Sequence, residues 1–341
     1  MDDYMVVTHT DMDGVGSAAV YMYYRGYRPS KIMFTEPYLL IKAFKKISKI
    51  RDVRTIAFMD LGMNQKTYEY IRPILEKKIA EGIEIEWYDH HIWDKEWLDS
   101  LKEIGVRVNV DNSICATGVV AKYAPRRSGI NKEFIEELVK GVCSGDLWRF
   151  DHWLGPWYLR LIRRDDPDSW REEVLNTILE EKLWDKCFND ILIDRVEKEI
   201  NAYGELERLV KLKRINGILF AFVKANKYIE NSFAAAYIMA RKNAEVVAVI
   251  SDKGKVSLRS KGINIREIAK ALGGGGHPRA SGFAVKIPII VRIKKLFNET
   301  AVLDYIMNRI ISIAPQYLPQ KNQLHMRGSK TISPSTSLTE T

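Results

Sequence analysis

Short apolar runs alternate with stretches of helical periodicity over the first 110 residues, and this alternation constrains the fold more than any other feature of the sequence. Strands that are separated by helices in this way form a parallel sheet with helices on its faces. We therefore expect a doubly wound α/β domain at the start of the chain. The predicted strands are Tyr4–Thr8, Lys31–Phe34, Arg54–Met59, Glu84–Tyr88 and Val106–Val110. The predicted helices are Val15–Arg25, Asn64–Ala80 and Lys95–Glu103.

The rest of the sequence divides into a helical segment and a second α/β pattern. Helical periodicity dominates from about residue 131 to residue 210. A strand at Ile218–Val223 and a helix at Phe233–Arg241 then precede a hairpin, whose strands are Val246–Ile250 and Lys255–Arg259. Near the end the chain becomes rich in Ser and Thr and loses its periodicity. We predict an α/β domain at 1–150, a helical connector at 151–212, a smaller basic α/β domain at 213–314 and a disordered tail at 315–341.

Charge is distributed unevenly along the chain. The formal net charge is +9, but residues 1–204 hold 30 basic and 35 acidic side chains, whereas residues 205–299 hold 19 basic and 7 acidic ones. Basic charge that is concentrated in one segment indicates a module that binds a polyanion. A solvated charged face is the alternative explanation.

Neither a membrane span nor a secretion signal is indicated by the sequence. It contains no apolar run of about 18 residues, and its first residues lack a basic start followed by an apolar stretch. The three cysteines, Cys115, Cys143 and Cys187, are odd in number and widely spaced, which favours small buried apolar residues over a disulfide framework or a thiolate metal site. We expect no membrane partner and a reducing, cytoplasmic location.

Four clusters of acidic and histidine residues follow predicted strands or a Gly-Asp pair. Each has an ordinary explanation by itself, such as a turn, a helix cap or a histidine that bonds to backbone. Ligands bind beyond the carboxyl ends of the strands in an open parallel sheet, so the clusters together predict one site there. The clusters are His9-Thr10-Asp11-Met12-Asp13-Gly14, Asp60 after the third strand, Asp89-His90-His91, and Asp146 after Gly145.

Carboxylate and imidazole groups without thiolates suit Mn²⁺ or Mg²⁺. Several aspartates that converge on one site would raise each other's pKa values, and divalent cations remove that penalty. Two such ions spaced about 3.5–4 Å apart are typical of phosphoryl-transfer sites. The residue types therefore predict a two-metal centre.

A run of glycines in the basic segment predicts a phosphate-binding loop. Gly273–Gly276 is followed by His277 and Arg279, and consecutive glycines let backbone N–H groups approach a phosphate closely. The guanidinium of an arginine can bind phosphate through two hydrogen bonds. Arg259 and Lys261 extend the predicted anion site. A flexible hinge is the alternative explanation of the glycines.

Aromatic residues are dense just after Asp146. Rings that alternate with arginine can stack on the bases of single strands. Core packing beside a helical segment explains the same residues equally well, so both alternatives stay open. The residues are Trp148, Arg149, Phe150, His152, Trp153, Trp157 and Tyr158.

These motifs together resemble the DHH phosphoesterase family, which is named after the tripeptide found here as Asp89-His90-His91. The glycine run followed by His277 is similar to the Gly-Gly-Gly-His loop of the family's associated substrate-binding domain, and the resemblance spans about residues 4–287. It implies that two Mn²⁺ or Mg²⁺ ions are bound by Asp11, Asp13, Asp60, His90 and Asp146. The spacing of His9 from Asp11 is similar to that in archaeal members, which adds His9 as a ligand.

The resemblance also implies roles for the remaining residues. Asp60 would bridge the two metals, Asp89 would orient a neighbouring imidazole, and His91 would lie near the scissile phosphate. The phosphate-binding residues would be Arg259, Gly274, Gly275, Gly276, His277 and Arg279.

The function that this resemblance implies is a two-metal phosphodiesterase that removes nucleotides from one end of short oligonucleotides, like the nanoRNase members. The alternatives are a RecJ-type exonuclease for long single strands, a cyclic dinucleotide phosphodiesterase and a non-catalytic replication scaffold. The glycine loop argues against a pyrophosphatase. The expected substrate is short or single-stranded RNA or DNA, and a homodimer or a replication or repair partner remains open.

Overall fold

The structure, a computed structural model, describes residues 3–320. The chain separates into two compact units, Met1–Asp194 and Arg195–Thr341. Both units are α/β, as the sequence predicts. Within the described range, no helix combines the length and the apolar character that a membrane crossing requires.

The first unit is built on a five-stranded parallel sheet with the order β2-β1-β3-β4-β5. This order places β1, β3 and β4 side by side and confirms the doubly wound arrangement. The outer strands are half-exposed, whereas β1 and β3 are buried along their whole length. The strands are β1 (Tyr4–Thr8), β2 (Lys31–Phe34), β3 (Thr55–Met59), β4 (Glu84–Asp89) and β5 (Arg107–Val110).

Helices cover both faces of this sheet, because alternate residues of each buried strand point to opposite sides. Val6 belongs to the core that includes residues of α1, α5, α6, α7 and α8, whereas its neighbour Val7 belongs to the core that includes residues of α2, α3 and α4. The short helices α2 and α5 were not predicted. The helices are α1 (Met12–Arg25), α2 (Leu40–Ile47), α3 (Gln65–Ala80), α4 (Lys95–Glu103), α5 (Ala116–Tyr123), α6 (Lys132–Asp146), α7 (Leu154–Leu161) and α8 (Asp168–Leu179).

The segment predicted as a helical connector, 151–212, divides between the two units. Tyr158 of α7 and Trp170 and Val174 of α8 are buried in the same core as α1, so these helices belong to the first unit. The following helix, α9 (Cys187–Arg208), contains the boundary at residue 194.

The second unit contains a six-stranded mixed sheet with the order β10-β11-β9-β8-β7-β6. Strands β7 and β8 are parallel and are joined by α10, and the other pairs are antiparallel. The predicted hairpin is present as β8 and β9, but β6 and β10 were not predicted. The strands are β6 (Lys211–Ile215), β7 (Ile218–Lys224), β8 (Val246–Ile250), β9 (Lys255–Ser260), β10 (Gly275–His277) and β11 (Ala280–Ala284). The helices are α10 (Asn231–Lys242), α11 (Arg266–Ala271), α12 (Ile289–Lys295) and α13 (Ala301–Ile313).

The chain stays ordered beyond the predicted start of the tail at residue 315. A 3₁₀ turn spans Ala314–Gln316, Leu318 is buried, and the side chain of Asn216 donates to the carbonyl oxygens of Pro315 and Leu318. The rest of the predicted disordered tail, 321–341, lies outside the described residues.

Two of the three cysteines form a disulfide bond, which corrects the expectation that all are unpaired. Cys115 precedes α5 and Cys143 lies in the last turn of α6, and the packing of these two helices brings their Cα atoms to 5.1 Å. Both are buried, as predicted, whereas Cys187 is free and exposed. Their separation of 28 residues in sequence carries no signal of this contact.

Candidate metal centre

The predicted clusters meet at the carboxyl edge of the first sheet. Three of them follow β1, β3 and β4, which are neighbours in the sheet, and Asp146 is the last residue of α6. Their potential ligand atoms form three groups, and the atoms of each group lie within 4.8 Å of one another. Asp60 belongs to two of the groups, and so does His90. The groups are His9, Asp11 and Asp60; Asp60, His90 and His91; and Asp13, His90 and Asp146.

Asp60 is a member of two of these groups. Its Oδ2 is 3.1 Å from His9 Nδ1, while its Oδ1 is 3.5 Å from His90 Nε2 and 3.9 Å from His91 Nδ1. The residue is buried and has a φ of 55°, in the left-handed region that few non-glycine residues adopt. A hydrogen bond of 3.0 Å from its N–H to the Tyr88 carbonyl oxygen holds this conformation. The carboxylate oxygens therefore face different groups, as a bridging ligand requires.

Asp13 is held by the start of α5. Its Oδ2 accepts from the N–H of Ala116 at 2.8 Å, and its Oδ1 accepts from the N–H and the hydroxyl of Thr117 at 2.8 and 2.7 Å. Its Oδ2 also lies 3.8 Å from His90 Nε2. The N-terminus of a helix favours a negative charge, so these hydrogen bonds orient the carboxylate and offset part of the cost of burying it.

Glu36 is a further acidic residue at the site that the sequence analysis missed. It follows β2, and its Oε2 lies 3.5 Å from His9 Nε2 while its Oε1 accepts from the Thr10 hydroxyl at 2.5 Å. The Nδ1 of His9 lies 2.7 Å from Asp11 Oδ2, so acidic groups contact both ring nitrogens. Burial raises the pKa of Glu36, but the hydrogen bond from His9 and the charges of His9 and Arg164 together outweigh burial and lower that pKa to about 2. Its position at a carboxyl end of a strand was the available signal.

A buried arginine, Arg171 of α8, fixes the backbone of the first cluster. Only 2% of the residue is exposed, and its Nε donates to the carbonyl oxygen of Thr10 at 2.7 Å. The rest of the guanidinium donates to carbonyl oxygens of the loop before α8, those of Arg163, Arg164 and Asp166. The position of Thr10, between His9 and Asp11, thus depends on a side chain 161 residues away in the sequence.

Asp89 lies outside the three groups and contacts His91 instead. Its Oδ1 is 2.8 Å from His91 Nδ1, and its Oδ2 accepts from Trp93 Nε1 at 2.6 Å. The side chain of Asn112 donates to the carbonyl oxygens of His90 and His91, both at 2.6 Å. His91 is the more accessible histidine, with 36% of its side chain exposed against 9% for His90.

The electrostatics of the site fit a bound cation. Burial and then the neighbouring Asp146 and Asp60 raise the pKa of Asp13, and burial with Asp60 and Asp11 raises the pKa of Asp146 to about 6. Burial lowers the pKa of His90, but the surrounding carboxylates outweigh it and raise that pKa to about 11. Within residues 3–320, the Oδ2 of Asp146 is buried without a hydrogen-bond partner. Crowded carboxylates and an unsatisfied carboxylate oxygen are what Mn²⁺ or Mg²⁺ would neutralise.

The predicted phosphate-binding residues lie together in the second unit. The last two glycines of the run form β10 together with His277, and β10 pairs with β11, so that Gly276 lies opposite Ser281. A Cβ on Gly274 or Gly276 would collide with the backbone of β11, whereas one on Gly275 would meet nothing within 4 Å. Arg279 is exposed, and the guanidinium of Arg259 donates to the hydroxyl of Ser232 at 2.9 Å. Two of the glycines thus permit strand pairing, and Gly275 leaves open space.

The sequence of the second unit matches a known domain family. The family model of the DHHA1 domain matches residues 216–302. No curated protein matches the chain in sequence.

Solved structures resemble nearly the whole chain. Exonuclease RecJ bound to manganese has a TM-score of 0.54 at 13% identity, over 94% of this chain and 92% of that protein. The pGpG-specific phosphodiesterase PggH from Vibrio cholerae has a TM-score of 0.51 at 15% identity, over 88% and 99%. An exopolyphosphatase-related protein from Bacteroides fragilis has a TM-score of 0.52 at 15% identity, over 89% and 92%. At 13–15% identity, these structural matches show a shared fold alone. The archaeal origin that the spacing of His9 suggests stays a prediction.

Proposed function

We propose that this chain, which carries a DHHA1 domain and has the fold of the DHH-family phosphoesterases, is a metal-dependent phosphodiesterase that hydrolyses short oligonucleotides or the ends of single-stranded nucleic acid. The observation that carries the proposal is the set of three ligand groups joined through Asp60 and His90. Groups that share ligands in this way suit two adjacent cations, the arrangement used for phosphoryl transfer.

The residues that would hold the metals are His9, Asp11, Asp13, Asp60, His90 and Asp146. Two bound Mn²⁺ or Mg²⁺ ions would supply Lewis-acid chemistry for hydrolysis of a phosphate ester. The protein contributes a rigid set of ligands, since Thr117 fixes Asp13, Glu36 contacts His9, and Arg171 fixes the backbone between His9 and Asp11.

His91 is the residue that we assign to the scissile phosphate. Asp89 contacts its Nδ1 and thereby fixes the plane of the ring, and its exposed portion is large enough to contact a substrate. Hydrogen bonds from this ring would orient the phosphate and stabilise the negative charge that it carries during hydrolysis. Asp89 acts through His91 in this proposal and does not contact the substrate.

The second unit would bind the phosphates of the substrate. Its segment 205–299 has a net charge of +12, from 19 basic and 7 acidic residues. Gly275 offers backbone with open space beside it, and the exposed Arg279 offers a guanidinium two residues after His277. Arg259 would extend this site.

Short substrates are our first choice and long single strands the second. Among the structural relatives, PggH is named for a linear dinucleotide and RecJ for exonuclease activity. Both substrates contain phosphodiester bonds between nucleotides, so either is compatible with the proposed chemistry. A cyclic dinucleotide contains the same type of bond and stays an alternative substrate, whereas a non-catalytic scaffold would leave the complete set of ligands unexplained.

The decisive experiment measures hydrolysis with and without metal. Protein stripped with EDTA is incubated with end-labelled dinucleotides to 24-mers, in RNA and DNA, before and after addition of Mn²⁺ or Mg²⁺. We expect hydrolysis only after the cation is added. Absence of hydrolysis with every substrate, in a protein that still binds the cation, would favour the scaffold alternative.

A further inference from the structure

Four large aromatic side chains are exposed in the segment that directly follows Asp146. Trp148 is 37% exposed, Phe150 38%, Trp153 58% and Trp157 37%. Their neighbour Tyr158 is buried in the core of the first unit, so the aromatic density of this segment has two different causes. Core packing accounts for Tyr158, whereas each of the other four rings keeps more than a third of its surface exposed. A local concentration of exposed apolar surface marks a binding site.

The backbone of this segment is held firmly against the end of α6. The N–H groups of Arg149 and Phe150 both donate to the carbonyl oxygen of Ser144, at 2.9 and 3.0 Å. The N–H of His152 donates to the hydroxyl of Ser144 at 2.9 Å, and the ring of His152 contacts Glu137 at 3.2 Å. The loop that presents the rings is therefore ordered and fixed relative to Asp146.

Two of the exposed aromatic residues have an unfavourable backbone conformation. Trp148 has a φ of 57° and Phe150 a φ of 53°, in the left-handed region that bulky residues rarely adopt. Such strain persists where the surrounding structure enforces it, and it concentrates at ligand sites. The two rings lie edge to face with centroids 4.6 Å apart, so their positions are also fixed relative to each other.

From the proposed phosphodiesterase function, on which this inference rests, we infer that Trp148 and Phe150 form a stacking platform for a nucleobase next to the metal centre. Trp148 is two residues from the ligand Asp146, and every nucleobase presents a flat face that can stack on an indole ring. Trp153 and Trp157 are further exposed rings of the same segment. The substrate would then be a phosphodiester that carries a base near the bond to be cleaved, and a simple polyphosphate chain would lack this contact.

The first test compares a dinucleotide with an analogue in which one nucleoside is replaced by a base-free deoxyribose. Stacking of one base corresponds to about 5- to 150-fold in affinity. We expect Trp148→Ala to raise KM for the intact dinucleotide by about 10-fold with little change in kcat. The variant should leave KM unchanged for the analogue that lacks the stacked base, because that analogue has no base to lose from the platform. Trp148→Phe should restore most of the affinity. Tyr70→Ala, which removes an exposed ring from α3, is the matched control.

The second test measures binding without hydrolysis, so that it does not depend on the proposed activity. Tryptophan fluorescence is titrated with a phosphorothioate dinucleotide in the wild type and in Trp148→Ala. Weaker binding in the variant supports the platform even if no substrate is hydrolysed, in which case the proposed function fails alone. Equal binding in both proteins overturns the platform even if hydrolysis is observed. Equal binding with a changed oligomeric state would identify the rings as a protein-binding surface and also overturn it.

Discussion

Thr117 donates both its amide and its hydroxyl hydrogen to one carboxylate oxygen of Asp13, 104 residues earlier in the chain. The hydroxyl also contacts the Asp13 carbonyl oxygen at 3.0 Å. This threonine therefore fixes a proposed metal ligand without being a ligand itself.

Replacement of this hydroxyl tests its role. We expect Thr117→Val to keep the fold and to lower affinity for Mn²⁺ by about 10- to 100-fold, because the groups that orient ligands have effects of this size. Isothermal titration with Mn²⁺ would measure the change. Thr177→Val is the control, since the hydroxyl of Thr177 donates to the carbonyl oxygen of Glu173 within α8 and not to Asp13. Unchanged affinity in Thr117→Val would show that the hydrogen bonds from the N–H groups of Ala116 and Thr117 suffice to orient Asp13.

Removal of the proposed bridging carboxylate should abolish hydrolysis. We expect Asp60→Ala and Asp60→Asn to lose more than about 1,000-fold in kcat, because loss of metal function costs orders of magnitude. Asp60→Asn is the cleaner variant, since asparagine tolerates the left-handed backbone of this position. Circular dichroism would establish that both fold, and the exposed Asp52→Ala serves as control. A residual rate above about a tenth of wild type would contradict the bridging role.

The glycine loop of the second unit should affect substrate binding and not metal content. We expect Arg279→Ala or His277→Ala to raise KM while the protein retains the same amount of bound Mn²⁺, since a phosphate contact is lost and every proposed ligand remains. Metal analysis and steady-state kinetics measure the two quantities. Arg292→Ala removes an exposed arginine from α12 of the same unit and should change neither. Loss of metal from the Arg279 or His277 variant would contradict the assignment of the loop to substrate binding.

Substrate length and salt should distinguish a short-oligonucleotide enzyme from a long-strand exonuclease. If two to four phosphates are bound, affinity should fall with salt at about 0.7 logarithmic units per phosphate for each decade of concentration. We expect dinucleotides to pentanucleotides to be cleaved at least as efficiently as 24-mers at physiological salt. A strong preference for 24-mers together with a steep salt dependence would favour the RecJ-type alternative.

Reduction of the disulfide should destabilise the first unit. A bond between residues 28 positions apart restricts the unfolded chain. We expect its loss to lower the free energy of unfolding by about 3.5 kcal/mol. Thermal unfolding of Cys115→Ser/Cys143→Ser would measure the effect. Cys187→Ser, which changes a free exposed cysteine, should unfold like the wild type. Identical transitions in all three proteins would show that the bond contributes no stability.

The sequence predicts well those features that depend on local pattern. All five strands of the first sheet were predicted, and strand ends in a parallel sheet meet at one edge, so the convergence of His9, Asp60 and His90 could be expected. The second unit was harder to predict. Strand β6 has the sequence Lys-Leu-Lys-Arg-Ile, at an exposed edge without clear alternation, and β10 consists of two glycines and a histidine.

Residues that act through long-range contacts could not be predicted in this way. Thr117 and Arg171 contact the first cluster across 104 and 161 residues of sequence, and neither belongs to a motif with characteristic spacing. The pairing of Cys115 with Cys143 depends likewise on how α5 packs against α6. Glu36 could have been considered from the sequence, because it follows a predicted strand. A single glutamate at such a position is nevertheless too common to indicate a site.

The guanidinium of Arg171 sets a lower limit on the length of an autonomous fragment that retains the candidate metal centre. Cutting the chain after residue 150 would delete α7 and α8, and with them the donor that holds the Thr10 carbonyl oxygen between His9 and Asp11. A buried carbonyl oxygen would lose its hydrogen bond, and the two proposed ligands on either side of it would lose their fixed spacing. The shortest fragment with an intact first cluster must therefore extend past Leu179, the end of α8.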